Sequence, residues 1–193
     1  MIKPLIKILL IVFELFGVQN LYAQTIKGQI HDLNDKFNLH GIEIISIDAS
    51  QYTLIATTSN SNGEFQLSLT NEVKCIIIRG GTLYSEYSEV KIENLESIQN
   101  TDTFDLGSIP LVKGPNFLQV QFKGISKRQE QKYQRKLIRG YNNKVKEYKD
   151  LEIAQPLGSF IMKQKSEKQK NSKRLKLTYV INLNDLRNKK TKP

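Results

Sequence analysis

The chain has 193 residues, enough for one ordinary domain or for a small domain with an appendage. Lys and Arg outnumber Asp and Glu by 29 to 19, a formal net charge of +10, and apolar residues make up 39%. That composition excludes a multi-span membrane protein and a collagen-like chain, and a single cysteine excludes a disulfide scaffold.

The charge is unevenly placed. Residues 1–24 carry +1, while residues 25–114 hold 6 basic and 12 acidic side chains, or −6. Residues 115–193 hold 21 basic and 6 acidic side chains, or +15. Gly114-Pro115 marks the change, so an acidic body is joined to a strongly basic C-terminal part.

Lys3 and Lys7 precede apolar residues 8–13, the run resumes after Glu14 at residues 15–18, and Ala23 supplies a small residue beyond it. A basic start, a short apolar middle and a small residue form the pattern of a secretory signal peptide, cleaved near Ala23. Residues 5–18 contain two charges and fall short of the roughly 20 residues that span a bilayer. An uncleaved anchor and a cytosolic helix are therefore the weaker readings. No Cys follows the run, so a lipoprotein anchor is excluded. The expected location is the periplasm or cell envelope. Cys75, alone in such a compartment, reads as a small buried hydrophobe of the apolar run 75–78.

Residues 25–114 predict seven short strands and no helix. Candidates are 26–30, 42–47, 51–58, 65–69, 75–78, 87–92 and 104–111. Phe65, Leu67 and Leu69 alternate with polar residues, and the turn cluster Asn60-Ser61-Asn62-Gly63 makes 51–58 the expected hairpin partner of that strand. Two packed antiparallel sheets are the economical arrangement. Gly28, inside a strand, predicts a bulge or a close backbone approach.

Three motifs then occur in order: Gly28-Gln29-Ile30-His31-Asp32, Leu39-His40-Gly41-Ile42-Glu43-Ile44, and Thr57-Thr58-Ser59-Asn60-Ser61-Asn62-Gly63-Glu64-Phe65. With the closing Asp105-Leu106-Gly107-Ser108-Ile109-Pro110-Leu111, they resemble the carboxypeptidase regulatory-like domain, a transthyretin-like β-sandwich of exported bacterial proteins. The resemblance covers residues 25 to about 112, and Ser59 departs from the family's Thr-Asp at the turn. It implies a structural or binding module without catalytic machinery of its own.

The basic part, 115–193, predicts a strand at 118–122, a helix at 126–149 and a strand at 175–183. Ser126 and Gln129 form a capping-box pair, and Tyr133, Leu137, Tyr141, Val145 and Tyr148 make a narrow apolar stripe. Pro156 to Met162 is an apolar patch, and residues 163–174 read as an exposed loop. The strands either form a small unit with the helix or extend the sandwich. The helix offers Lys127, Arg128, Lys132, Arg135, Lys136, Arg139, Lys144 and Lys146 as contacts to an anionic partner.

Catalytic patterns are thin. His40 and Glu43 have the H-x-x-E spacing of zinc carboxypeptidases, but His31 is the only other His, and alternation sends residues 40 and 43 to opposite strand faces. Neither a phosphate loop, a nucleophile elbow nor a C-x-x-C is present, so no catalytic, metal or cofactor residue is assigned. The expected class is a mainly β protein: a seven-stranded antiparallel sandwich with a basic α+β extension. Its expected role is a non-catalytic envelope module whose extension contacts an envelope protein or anionic envelope surface. Peripheral membrane contact is a variant of that role, and export argues against nucleic acid. The alternatives are an accessory of an outer-membrane uptake receptor acting in trans, and a metal-dependent hydrolase.

Overall fold

Period-2 apolar alternation carries the chain into strands on both sides of one long helix. The computed structural model describes residues 24–81, 84–98, 102–115, 124, 126–155, 158–168 and 173–185. Of the expected signal peptide, residues 1–24, all but Gln24, which begins β1, lies outside these, as does the expected strand at 118–122. Ten strands occur among the described residues: β1 (Gln24–Asp32), β2 (Glu43–Ile47), β3 (Thr53–Thr58), β4 (Glu64–Leu69), β5 (Cys75–Arg79), β6 (Glu89–Glu93), β7 (Thr103–Leu111), β8 (Leu151–Gln155), β9 (Gly158–Lys168) and β10 (Leu175–Asn182). The helix α1 spans Lys127–Glu147, and a short 3-10 turn spans Leu95–Ile98.

The strands form two sheets, a three-stranded one ordered β4-β1-β7 and a seven-stranded one ordered β3-β2-β5-β6-β10-β9-β8. Both are mixed, which corrects the antiparallel expectation: β1 pairs with β7, and β6 with β10, in parallel. The basic part does not simply follow the sandwich; β8, β9 and β10 extend its larger sheet. The physical reason is burial. Leu177, Tyr179 and Ile181 of β10 continue the core face that Val90 and Ile92 present on β6, in the register Tyr179↔Val90 and Ile181↔Ile92. Those side chains join Ile26, Ile30, Ile44, Phe65, Leu67, Ile76, Ile78, Leu106 and Ile109 in one apolar core. At about 1.5–3 kcal/mol for each large apolar side chain taken from water, β10 contributes heavily to holding the layers together.

Two further expectations are corrected. Strand β3 is not the hairpin partner of β4: it pairs with β2, while β4 pairs with β1 in the other sheet. The connection crosses between sheets because the buried Ser59 hydroxyl donates to the Leu39 carbonyl at 2.7 Å and accepts from the Ile42 N–H at 2.9 Å. Gly63 completes the crossing at φ +73°, pressed so closely to β1 that a Cβ there would stand 2.4 Å from the Ile30 oxygen. Likewise residues 163–168 are strand, not loop, because β9 pairs with β10 from Met162 to Lys168. Phe160 and Met162 enter the core while Lys163 and Lys165 face water, so only the first half of β9 carries an apolar period.

Gly28 sits at a register shift in the β1–β7 pairing, with the Phe65 ring 3.0 Å from where a Cβ would lie. That is the bulge and close approach its place in a strand predicts.

Candidate functional site

Helix α1 begins where Ser126 caps it. The Ser126 side chain accepts from the Gln129 N–H at 3.3 Å, and the Gln129 side chain accepts from the Ser126 N–H at 3.1 Å. Among the described residues, it is the C-terminal half of the helix that packs on the body. Val145 is buried in the core, with Tyr141 and Tyr148 partly buried against it, whereas Tyr133 is 52% exposed. Two tyrosine hydroxyls fasten this half: Tyr148 donates to the Lys113 carbonyl at 2.8 Å, and Tyr179 of β10 donates to the Lys149 carbonyl at 3.2 Å.

All eight cations singled out in the sequence lie on α1 with exposed side chains. Helical geometry sorts them. Arg128, Lys132, Arg135, Arg139 and Lys146 recur at steps of three, four and seven residues and so share one face, away from the packed side. Lys136 flanks that stripe; Lys127 and Lys144 point elsewhere, as do the helix's two carboxylates, Glu130 and Glu147.

The body brings in a cation that the sequence reading missed. The Asn142 side chain donates to the Lys173 carbonyl at 3.0 Å and accepts from the Leu175 N–H at 2.9 Å, clamping the start of β10 to the helix. Lys173 thereby joins Arg135, Arg139 and Lys146 around a groove of about 420 Å³, completed by Ile138, Asn142 and Asn143. Asn at a mid-helix position was the available signal, since amides favour caps and turns over helix interiors unless bonded elsewhere.

The concentration of unpaired charge sets this face apart. Many cations of the body have carboxylate partners: Lys27 with Asp105, Lys74 with Glu96, Arg79 with Glu43, Lys113 with Asp32, Lys163 with Asp185 and Lys176 with Glu89. Those without one among the described residues, such as Lys36, Lys149 and Lys165, are scattered. Among the described residues no carboxylate lies within ion-pair distance of Arg128, Lys132, Arg135, Arg139, Lys146 or Lys173.

A second charged cluster is structural. The buried Asp32 carboxylate accepts from the Tyr87 hydroxyl at 2.5 Å and from the N–H groups of Asn34 and Asp35, with Lys113 Nζ 3.2 Å away. Burial alone would raise its pKa, but the hydrogen bonds from Tyr87, Asp35, Lys113 and Asn34 outweigh that and bring it down to about 2. Tyr87 is pushed up to about 12 by burial and by its bond to Asp32. Lys113 also rests over the Tyr87 and Phe37 rings, 5.4 and 5.8 Å from their centroids. Every polar group here is spent on the others, tying the end of β1 to the approach to β6 and the exit of β7.

Two further cavities hold charge pairs. One of about 720 Å³ between the sandwich and α1 holds Glu43 with Arg79 at 2.8 Å and Glu89 with Lys176 at 2.5 Å. Another of about 860 Å³, lined by Lys27, Gly28, Phe65 and Asp105, holds the Lys27–Asp105 pair at 3.4 Å. His40 is exposed just ahead of β2, and the carboxylate of Glu43 is engaged by Arg79. His31 meets the Ser108 hydroxyl at 2.9 Å, and burial lowers its pKa. Cys75 is half-buried, its thiol pushed up to about 11 by burial and then by Glu93. No His, Cys, Asp and Glu group with metal-holding geometry occurs among the described residues, and no helix there is long and apolar enough to cross a membrane.

No protein-family model matches the chain, and no curated protein does. Among solved structures, the group B streptococcus pilus 2b backbone protein aligns at 13% identity over 48% of this chain and 42% of its own, with a TM-score of 0.34. The streptococcal ancillary pilin aligns at 11% over 50% and 34%, with a TM-score of 0.33. A 9R-lipoxygenase from Cyanothece PCC8801 aligns at 13% over 53% and 19%, with a TM-score of 0.34. The chain spans less than half the length of each, and likeness at this level assigns neither family nor activity.

Proposed function

We propose that the protein is an exported, non-catalytic module of the bacterial cell envelope that holds an anionic surface or partner on the basic face of α1. The carrying observation is that five cations line one face of α1 with no carboxylate partner among the described residues, while Lys27, Arg79, Lys113 and Lys176 on the body are paired. Surface charge left uncompensated attracts polyanions and raises their encounter rate. In the C-terminal half of α1 the apolar side is spent on the body through Val145 and Tyr141, so contact there comes from the cations and not from insertion of an apolar face. Export rests on the order of charge and apolarity in residues 1–24. The resemblance to the carboxypeptidase regulatory-like domain is part of the same reading, supported by the Gly28 bulge and the Gly63 turn.

The test is retention of the full chain on an anionic matrix and on anionic vesicles across a salt series, beside a variant with Arg128, Arg135 and Arg139 changed to Glu. Retention that weakens with salt and disappears in the variant supports the reading. Retention indifferent to both, or none at low salt, overturns it.

A further inference from the structure

We propose that the groove between α1 and the start of β10 is a seat for a phosphate group. Its ligand is a linear phosphate-bearing chain, of the sugar- or polyol-phosphate kind, whose neighbouring charges run along Lys132 and Arg128. This rests on the reading of α1 as an anion-holding face and names the chemistry it selects.

Four cations converge on the groove: Arg135 and Arg139 one turn apart, Lys146 a further two turns on, and Lys173 from outside the helix. A single carboxylate leaves most of that charge unanswered. The monoester phosphate that ends such a chain offers three free oxygens and close to two negative charges, and guanidinium forks meet such oxygens in pairs. The groove is also a built place and not a crowd of mobile side chains on one helix. Asn142 has both ends of its amide engaged, on Lys173 O and Leu175 N–H, and so fixes the far wall while leaving Asn143 to contribute an amide. The seat lies in the C-terminal half of α1, where the helix dipole opposes an anion, so its affinity has to come from these side chains.

Extension to a chain follows from the stripe. From Arg128 to Lys146 the helix rises about 27 Å at 1.5 Å per residue, with cations spaced about one per turn from Arg128 to Arg139. A compact headgroup fills the groove and leaves Arg128 and Lys132 without a role; a linear chain uses them all. The aromatic platform that single-stranded nucleic acids stack on is missing from this face. Tyr141 turns to the body, and Tyr133 sits on another side of the helix.

The experiment measures binding of the full chain to pyrophosphate, to short and long inorganic polyphosphate, to polyglutamate of similar charge, to a single-stranded oligonucleotide and to anionic vesicles. Expected is affinity that rises with polyphosphate length, at least tenfold tighter than polyglutamate and tighter than the oligonucleotide. The double variant Arg135→Gln/Arg139→Gln should lose tenfold or more, and Lys173→Gln threefold or more. The double variant Lys127→Gln/Lys144→Gln, with the same change in net charge off the stripe, should stay within twofold. Equal losses in the two double variants, no loss in Lys173→Gln, or equal affinity for polyglutamate overturns the phosphate seat while leaving an anionic face in place. Binding to vesicles or oligonucleotide in preference to polyphosphate overturns the linear phosphate chain. Binding to none of the probes overturns the reading of α1 as well.

Discussion

Tyr87 gives its hydroxyl proton to a hydrogen bond with Asp32 at 2.5 Å, and the carboxylate that accepts it is only 1% exposed. The pair makes stability depend on acid. The Asp32 pKa is near 2 in the fold against 3.8 ordinarily, so its contribution is fully present above about pH 4 and is lost as pH falls through 2. The loss amounts to about 2 kcal/mol. Urea melts between pH 7 and pH 2 should show it, and Asp32→Asn should be less stable at neutral pH with a flatter acid limb. Tyr87→Phe should cost about 1–3 kcal/mol at neutral pH.

Tyr179 anchors the added strands through both its ring and its hydroxyl. Tyr179→Ala opens a cavity in the shared core and should destabilise the whole protein by about 3–5 kcal/mol. Tyr179→Phe removes only the bond to Lys149 and should cost about 1 kcal/mol. A single cooperative transition in both variants is expected, because β10 and β6 belong to one sheet.

Two glycines with nearly the same backbone angle should respond differently to alanine. At Gly41, φ +74° and open surroundings leave only the left-handed penalty of about 1 kcal/mol. At Gly63, φ +73° is joined by the approach to the Ile30 oxygen, and the loss should exceed about 2 kcal/mol. Thermal melts of the two variants give the comparison directly.

The Cys75 thiol should react slowly with alkylating reagents at neutral pH. Burial and Glu93 hold its pKa near 11, so the thiolate that reacts is scarce until alkaline pH. Labelling rates rising steadily from pH 7 to pH 10 are expected, and Cys75→Ala should change stability by less than about 1.5 kcal/mol at this half-buried place.

Local order was legible where one residue type does one physical task. The alternation of Phe65, Leu67 and Leu69 marks β4, and Ser126 with Gln129 marks the start of α1. Pairing was not legible, because it is decided by tertiary bonds. The turn at residues 60–63 has the composition of a hairpin, yet Ser59 bonding to Leu39 and Ile42 sends the chain to the other sheet. The second half of β9 hides for a different reason: its outward residues are Lys and Glu and its inward Gln164 is amphiphilic, so no apolar period remains. Of the candidate site, the helical cations could be read from spacing. Lys173 could not, since it reaches them only through Asn142, 31 residues away.

The order of strands has a consequence for how this chain reaches its native state. The last strand among the described residues, β10, occupies an interior position between β6 and β9 and not an edge. Any chain that emerges N-terminus first must therefore hold β6 with an open hydrogen-bonding side until residues 175–182 are available. Such long-range, parallel pairing is slow to form, and an open strand edge invites pairing with other chains in the meantime. For this protein the hazardous interval is assembly, and it closes only when residues 175–182 slot into the gap.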